Sequence, residues 1–159
     1  MTNIKAIRLL YRATRDGFTD AAFHSKCDGK ANTITIIKNN LNYVFGGYAS
    51  KAWHSNQDWI EDGNAFIFSL RRNGISTNEK YKVTKPKEAY RGPSSSHLFV
   101  FGYYDICVDP NSNTETGSFT EFGHSYQLPE GYTRESANNY LSGNYMNWLT
   151  TEIEVFELE

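Results

Sequence analysis

The chain has 159 residues, of which 39% are hydrophobic and 21% charged, as is usual for one soluble globular domain with its own core. Sixteen basic and eighteen acidic residues give a net charge of -2. Because neither sign is concentrated in blocks, the charge distribution argues against binding to nucleic acid or anionic membranes. No apolar run approaches the ~20 residues of a membrane-spanning helix, and MTNIKAIRLLY at the N-terminus lacks the apolar core of a signal peptide. We therefore expect a cytoplasmic protein.

The first third of the chain predicts a strand, a short helix and a hairpin. Residues 7–11 form an apolar strand that a turn at Arg15, Asp16 and Gly17 closes. Thr19 is a suitable N-cap for a helix over 20–26. Residues 33–36 and 43–45 alternate as paired strands, and the asparagine-rich segment between them is typical of a turn. Gly46 and Gly47 are predicted to end the second strand or to form a bulge in it.

The middle of the chain predicts a loop and then a buried strand. Residues 48–63 contain Trp53 and Trp59 without clear periodicity, which indicates a loop packed by its tryptophans. Residues 64–70 are apolar on both alternating faces, so we expect a covered strand with Phe66 and Phe68 in the core. An Asn-Gly turn follows, and residues 81–84 alternate again as a strand.

The last third predicts further short strands separated by loops. Residues 97–108 form two extended pieces bent at Gly102, and a polar loop follows over 109–117. Residues 118–128 and 152–156 are predicted as strands. Many short strands with one or two short flanking helices indicate an α+β, mainly β protein, built as a two-sheet antiparallel β-sandwich.

Seven segments occur in the order in which they are found in the TLDc domain, and together the chain resembles that family over nearly its whole length. They are LLYRATRDGF (9–18), FHSKCDG (23–29), TITIIK (33–38), YVFGGY (43–48), NAFIFSL (64–70), FGHSY (122–126) and TEIEVF (151–156). The resemblance implies a single domain over 1–159, folded as a β-sandwich flanked by helices. Because only eight residues precede Leu9, the N-terminal helical part of the family domain is expected to be short or missing.

The resemblance also implies a cellular role in oxidation resistance and association with the vacuolar proton-pumping ATPase through surface contacts. It brings no established active site, so we favour a protein-interaction module over an enzyme. His24 and Ser25 lie near Cys27 in sequence, but a catalytic triad depends on geometry rather than on sequence proximity. We therefore predict no catalytic residues.

Motif residues of the resemblance are the candidates for partner binding. Glu152 and Glu154 alternate on the last predicted strand and share one face. Two such carboxylates can serve as acid and base, as a cation site, or as an acidic patch for a basic partner; a solvated sheet face is the alternative. The complete set of partner-binding or motif candidates is Asp16, Gly17, Gly46, Gly47, Glu152 and Glu154.

A calcium- or carbohydrate-binding sandwich is the alternative function. The 109–117 loop places oxygen ligands at alternate positions but lacks the glycine and the closing glutamate of an EF-hand, so we expect no tight calcium site. The weak metal candidates are Asp105, Asp109, Asn111, Asn113 and Glu115. Five aromatic residues could stack on a sugar ring: Trp53, Trp59, Tyr103, Tyr104 and Trp148.

The two cysteines, Cys27 and Cys107, are too few for a disulfide framework and lack metal-ligand spacing. A reduced, partly buried pair is favoured over a disulfide. Neither has a basic cluster nearby in sequence that would stabilise a thiolate, so we predict that neither is a reactive antioxidant centre.

The family commonly has His-Asp after a glycine-rich stretch, whereas Tyr104 takes the place of that His here, after the unusual segment SSSHLFV (94–100).

Overall fold

A computed structural model describes residues 3–159 as two antiparallel sheets with two short helices, which confirms the predicted mainly β architecture. No helix within residues 3–159 is long and apolar enough to cross a membrane. The elements in chain order are β1 (Ile7–Arg12), α1 (Ala13–Asp16), α2 (Asp20–Cys27), β2 (Thr33–Asn39), β3 (Val44–Ala49), β4 (Phe66–Arg72), β5 (Ile75–Lys82), β6 (Tyr90–Arg91), β7 (Phe99–Phe101), β8 (Ile106–Val108) and β9 (Thr150–Leu158).

The larger sheet has six strands in the order β1-β9-β2-β3-β4-β5, and the smaller has three in the order β6-β7-β8. The last strand of the chain, β9, therefore lies inside the large sheet, where it pairs with β1 on one side and β2 on the other. Asn73 and Gly74 both have positive φ (48° and 80°) in the β4–β5 turn. Two consecutive left-handed residues are what a tight hairpin requires, and Asn-Gly is the sequence that adopts them most readily.

The predicted helix is confirmed and packs into the aromatic core. Thr19 caps α2 by accepting a hydrogen bond from the amide of Ala22 at 3.2 Å. Phe23 is fully buried, with its ring 5.4 Å from those of Tyr11 and Trp53, measured between centroids. The helix thus attaches the start of the large sheet to the loop that carries Trp53.

Gly46 and Gly47 do not end β3 or bulge it, as the sequence suggested; they lie in its interior and pair on both sides. A Cβ on Gly46 would lie 1.8 Å from the carbonyl oxygen of Thr35, and one on Gly47 would lie 2.4 Å from the ring of Phe101. The glycines are therefore needed for close approach: Gly46 to the neighbouring strand, and Gly47 to the small sheet.

The predicted core face of β4 is wrong for Phe66. Ile67 and Ser69 are fully buried and face the small sheet, whereas Phe66 is only half-buried and stacks on Tyr48 on the opposite face, at 5.0 Å between centroids. Phe68 lies on the same face as Phe66. Unlike Phe66 it is buried, with only 7% of its surface exposed, because its ring covers Gly46. Both faces of 64–70 are apolar, so periodicity alone could not identify the inner one.

Residues 118–128 do not form the predicted strand and make only isolated bridges, Cys107 with Phe119 and Val83 with Tyr126. Three backbone amides of this segment donate hydrogen bonds to the buried carboxylate of Asp105 instead of to a neighbouring strand. The donors are the amides of Gly123, Ser125 and Tyr126, at 2.9, 2.9 and 3.2 Å. A side chain can satisfy buried amides as well as a strand does, and its presence is not visible in hydrophobic periodicity.

Candidate partner-binding face

The side of the large sheet that points away from the small sheet carries the conspicuous motif carboxylates. Along β9, Ile153 and Val155 are fully buried and face inward, so Glu152 and Glu154 point to the opposite side, as predicted. We call this side the outer face. Its members are mostly half-buried: Ile34, Ile36, Lys38, Val44, Tyr48, Phe66, Phe68, Lys80, Glu152, Glu154 and Phe156.

Strand register divides the outer face into an acidic end and an apolar end. Lys38 pairs with Glu152 and Ile36 with Glu154, while Ile34 pairs with Phe156 farther along the same strands. The apolar end has a depression of about 540 Å³ whose lining includes the stacked rings of Tyr48 and Phe66. A smaller depression of about 180 Å³ lies at the acidic end.

Both carboxylates at the acidic end have partners within the domain. Glu152 accepts hydrogen bonds from the amide of Thr14 at 3.1 Å and from its hydroxyl. Glu154 accepts a hydrogen bond from Nε of Arg12 at 2.9 Å, and both of these side chains remain partly exposed. Because the pairs are open to solvent, the carboxylates can exchange these contacts for those of a partner at small cost.

Asp16 and Gly17 close the same corner of the sheet. The carboxylate of Asp16 accepts hydrogen bonds from Nε of Arg15 at 2.8 Å and from the amide of Arg12 at 3.0 Å. The hydrogen bond from Arg15 is the main reason that the pKa of Asp16 is lowered to about 2, and the amide of Arg12 lowers it further. Gly17 has φ of 108°, and its carbonyl accepts a hydrogen bond from the hydroxyl of Tyr11 at 2.7 Å.

The structure thus brings Asp16, Glu152 and Glu154 together around Arg12 and α1, with Gly17 next to them. It does not bring Gly46 and Gly47 to that corner, since they lie in the middle of β3. Arg12 joins two of the acidic groups because its amide contacts Asp16 and its guanidinium contacts Glu154. Sequence separation between residues 12–16 and 152–154 concealed this arrangement.

The oxygen ligands considered for calcium do not form one set. Asp105 precedes β8 and Asp109 follows it, so the two carboxylates lie at opposite ends of that strand. Asp105 is fully buried, and burial raises its pKa to about 7. The backbone amides that donate hydrogen bonds to its carboxylate lower this pKa, but by less than burial raises it. Its inclusion with the 109–117 loop is therefore wrong. Three remaining candidates are exposed on the loop: Asn111, Asn113 and Glu115.

The aromatic set considered for carbohydrate stacking is also divided. Trp53 and Trp148 are fully buried core residues and have no face available for a sugar ring. Trp59 and Tyr103 lie near each other on the surface, with 6.2 Å between ring centroids, and Tyr104 is 5.0 Å from Tyr103. The predicted platform therefore contains at most these three rings.

The residues near Cys27 do not converge on its sulfur. Cys27 is fully buried, and burial raises the pKa of its thiol. The ring of His24 is exposed, with Nδ1 2.7 Å from the hydroxyl oxygen of Ser55 and in contact with Asp28. The His24 ring thus contacts Ser55 and Asp28 rather than the sulfur of Cys27.

Sequence reasoning missed a second cluster, at the far end of β8. Nδ1 of His97 lies 2.8 Å from Oδ1 of Asp109 and 3.2 Å from Sγ of Cys107, and the sulfur lies 3.7 Å from the same carboxylate oxygen. Sequence spacing showed no metal-ligand pattern around Cys107, yet the fold brings one histidine and one carboxylate to its sulfur. One signal was available: Cys107 and Asp109 are two residues apart on an extended segment and share a face. The position of His97, on a separate loop, could not be read from spacing.

Comparison with known proteins agrees with the motifs and the sandwich. The TLDc domain family matches residues 2–159, nearly the whole chain. A curated relative, the MTOR-associated protein MEAK7 of Danio rerio, is 25% identical over 63 residues, which are 40% of this chain and 14% of that protein. The match thus spans a small part of the relative's length. With its family segments in order and a two-sheet β-sandwich beneath them, this chain belongs to the TLDc domain family.

Proposed function

We propose that residues 1–159 form a single TLDc domain that acts in the cytoplasm as a non-enzymatic protein-interaction module. Its proposed role is in oxidation resistance, exerted through association with the vacuolar proton-pumping ATPase. The observation that carries the proposal is the outer face, where half-buried apolar side chains adjoin a pair of partly exposed carboxylates. The family match over residues 2–159 supports the same conclusion.

The outer face has the composition of a protein-binding surface. Interfaces combine an apolar, aromatic centre with a polar rim. Here Lys80 lies over the ring of Phe66 at the apolar end, and Ile36 and Val44 line the depression beside Glu152 and Glu154 at the acidic end. A contiguous apolar patch bordered by polar groups is typical of an interaction site rather than of inert surface. The carboxylates favour a partner that presents basic side chains to the acidic end.

The named relative supports a binding role in general terms. Its name describes association with MTOR, which is a binding relationship and not a catalytic activity. The segment shared with it covers 14% of that protein, so its own partner is not transferred to this chain. The proton pump remains the partner that we propose, on the grounds of the family resemblance.

Affinity capture with mass spectrometry tests the proposal. The wild-type domain should retain subunits of the proton-pumping ATPase from a cell extract, and Glu152→Gln with Glu154→Gln should reduce their recovery. The reduction should be largest at low salt, where exposed charges act over the longest range. Glu130→Gln with Glu135→Gln is the matched control, since both of these glutamates are exposed and lie outside the outer face.

Three results would contradict the assignment. Unchanged capture by the β9 variant would show that the acidic end is not the contact surface. Unfolding of that variant, seen by circular dichroism, would show that the hydrogen bonds with Thr14 and Arg12 are structural requirements. Peroxide turnover that depends on Cys27 or Cys107 would replace the interaction module with an enzyme.

A further inference from the structure

The cluster of His97, Cys107 and Asp109 unites three different ligand types at the end of β8. The nitrogen, sulfur and oxygen atoms all lie within 4.8 Å of one another. They come from three places in the chain: His97 from the loop before β7, Cys107 from β8, and Asp109 from the segment that follows it. Nothing in the TLDc motifs accounts for this convergence.

The geometry does not suit a Cys-His-Asp catalytic triad. In a triad the imidazole uses one nitrogen toward the nucleophile and the other toward the carboxylate. Here Nδ1 of His97 faces both the sulfur of Cys107, at 3.2 Å, and the carboxylate of Asp109, at 2.8 Å. One nitrogen cannot receive a proton from the thiol while it donates its own to Asp109. The three atoms instead surround a common point.

That common point has dimensions close to those of a zinc site. Zinc at about 2.3 Å from sulfur and about 2.1 Å from nitrogen and oxygen, with tetrahedral angles, separates its ligands by about 3.4–3.6 Å. The observed separations are 2.8 Å for nitrogen and oxygen, 3.2 Å for nitrogen and sulfur, and 3.7 Å for sulfur and oxygen. Outward movements of about half an ångström, within the reach of side-chain rotation, would therefore admit the ion.

The surroundings hold two of the ligands in place and leave a route for the ion. The amide of His97 donates to Oγ of Ser94 at 3.1 Å, and that of Asp109 donates to Oγ of Ser118 at 3.0 Å. Cys107 is fully buried, whereas 18% of the His97 side chain and 27% of that of Asp109 are exposed. A cavity of about 250 Å³ borders Asp109, so a water molecule from it can complete a four-coordinate ion.

The chemistry of the three ligands indicates which cation the site would take. The ligand set mixes soft sulfur with imidazole nitrogen and one carboxylate, which suits Zn²⁺ and not the all-oxygen coordination of Ca²⁺ or Mg²⁺. We propose that His97, Cys107 and Asp109 form a zinc-binding site with one position open to solvent.

Titration of the purified full chain with zinc after treatment with a chelator tests the site. Calorimetry should give one zinc per chain, and His97→Gln or Cys107→Ser should weaken the affinity at least tenfold. Cobalt added in place of zinc should give a thiolate charge-transfer band in the near ultraviolet that Cys107→Ser abolishes. The matched controls are Cys27→Ser, which removes the other buried thiol, and His124→Gln; both should bind zinc as the wild type does.

Circular dichroism establishes that each variant is folded before its affinity is compared. If Cys107→Ser does not fold, His97→Gln and Asp109→Asn, whose side chains are partly exposed, provide the comparison. Absence of stoichiometric zinc binding by the folded wild type would overturn the proposal. Wild-type affinity in both the His97 and the Cys107 variants would do the same, since the ion would then bind elsewhere. Neither result bears on partner capture, which depends on the outer face.

Discussion

Gly47 of β3 lies directly against the ring of Phe101 of β7, so that a Cβ on the glycine would be 2.4 Å from the nearest ring carbon. Phe101 is fully buried and packs against Trp53, with 5.7 Å between ring centroids. The ring can therefore not move aside without disturbing the rest of the aromatic core. This contact sets the distance between the two sheets.

Gly47→Ala should lower the free energy of unfolding by about 1–3 kcal/mol, because it forces an extra methyl group into a filled interface. Urea denaturation followed by tryptophan fluorescence measures the change. Gly63→Ala is the matched control, since no atom of residues 3–159 lies within 4 Å of a Cβ at that position. Equal stability of the two variants would show that the sheets can separate at Gly47.

Ile67→Ala should destabilise the domain by about 2–5 kcal/mol, as for other buried aliphatic residues. Phe66→Ala should have a smaller effect, although it removes a larger side chain, because Phe66 lies on the half-exposed outer face. Denaturant midpoints of the two variants give the comparison. A larger loss for Phe66 would contradict the orientation of β4.

Asp16 should contribute to the pH dependence of stability. Its pKa in the folded state, about 2, is below the ordinary value of 3.8 for an aspartate, so the folded state binds fewer protons than the unfolded state between these values. The contribution is present above pH ~4 and is lost as the pH falls toward 2. Thermal unfolding should show a weaker acid dependence in Asp16→Asn. Asp58→Asn, at an exposed site, should leave that dependence unchanged; identical curves for the two variants would refute the role of Asp16.

Neither thiol should react readily in the native protein. Cys27 and Cys107 are fully buried, and burial raises the pKa of both thiols, so the reactive thiolate is scarce. In chelator-treated protein, an aromatic disulfide reagent should label both cysteines only after denaturant is added. Rapid labelling under native conditions would contradict this expectation, and the variants Cys27→Ser and Cys107→Ser would identify the site.

Periodicity and turn chemistry predicted the elements that are determined by residues close together in the sequence. The hairpin of β2 and β3, the capped helix α2 and the bend at Gly102 follow from nearby residues. Local patterns did not distinguish the two apolar faces of β4, and they wrongly predicted a strand over 118–128. In that segment the pairing is provided by Asp105, whose role depends on contacts across 18 to 21 residues.

The candidate sites likewise combine features that local sequence predicts with contacts that depend on the whole fold. Glu152 and Glu154 share a face because strand geometry alternates, and this was visible in the sequence. Their contacts with Thr14 and Arg12 cross about 140 residues and require the topology of the sheet. His97 reaches Cys107 and Asp109 through a loop whose path no periodicity specifies.

The position of β9 between β1 and β2 has a consequence for synthesis on the ribosome. Residues 7–12 emerge first but have no partner strand in the large sheet until 150–158 have been made. Because a chain grows by only about 5–20 residues per second, the apolar residues of β1 wait for several seconds after they emerge. The large sheet therefore closes after translation of residue 158, and a chaperone that shields the nascent strand would act on β1 during that interval.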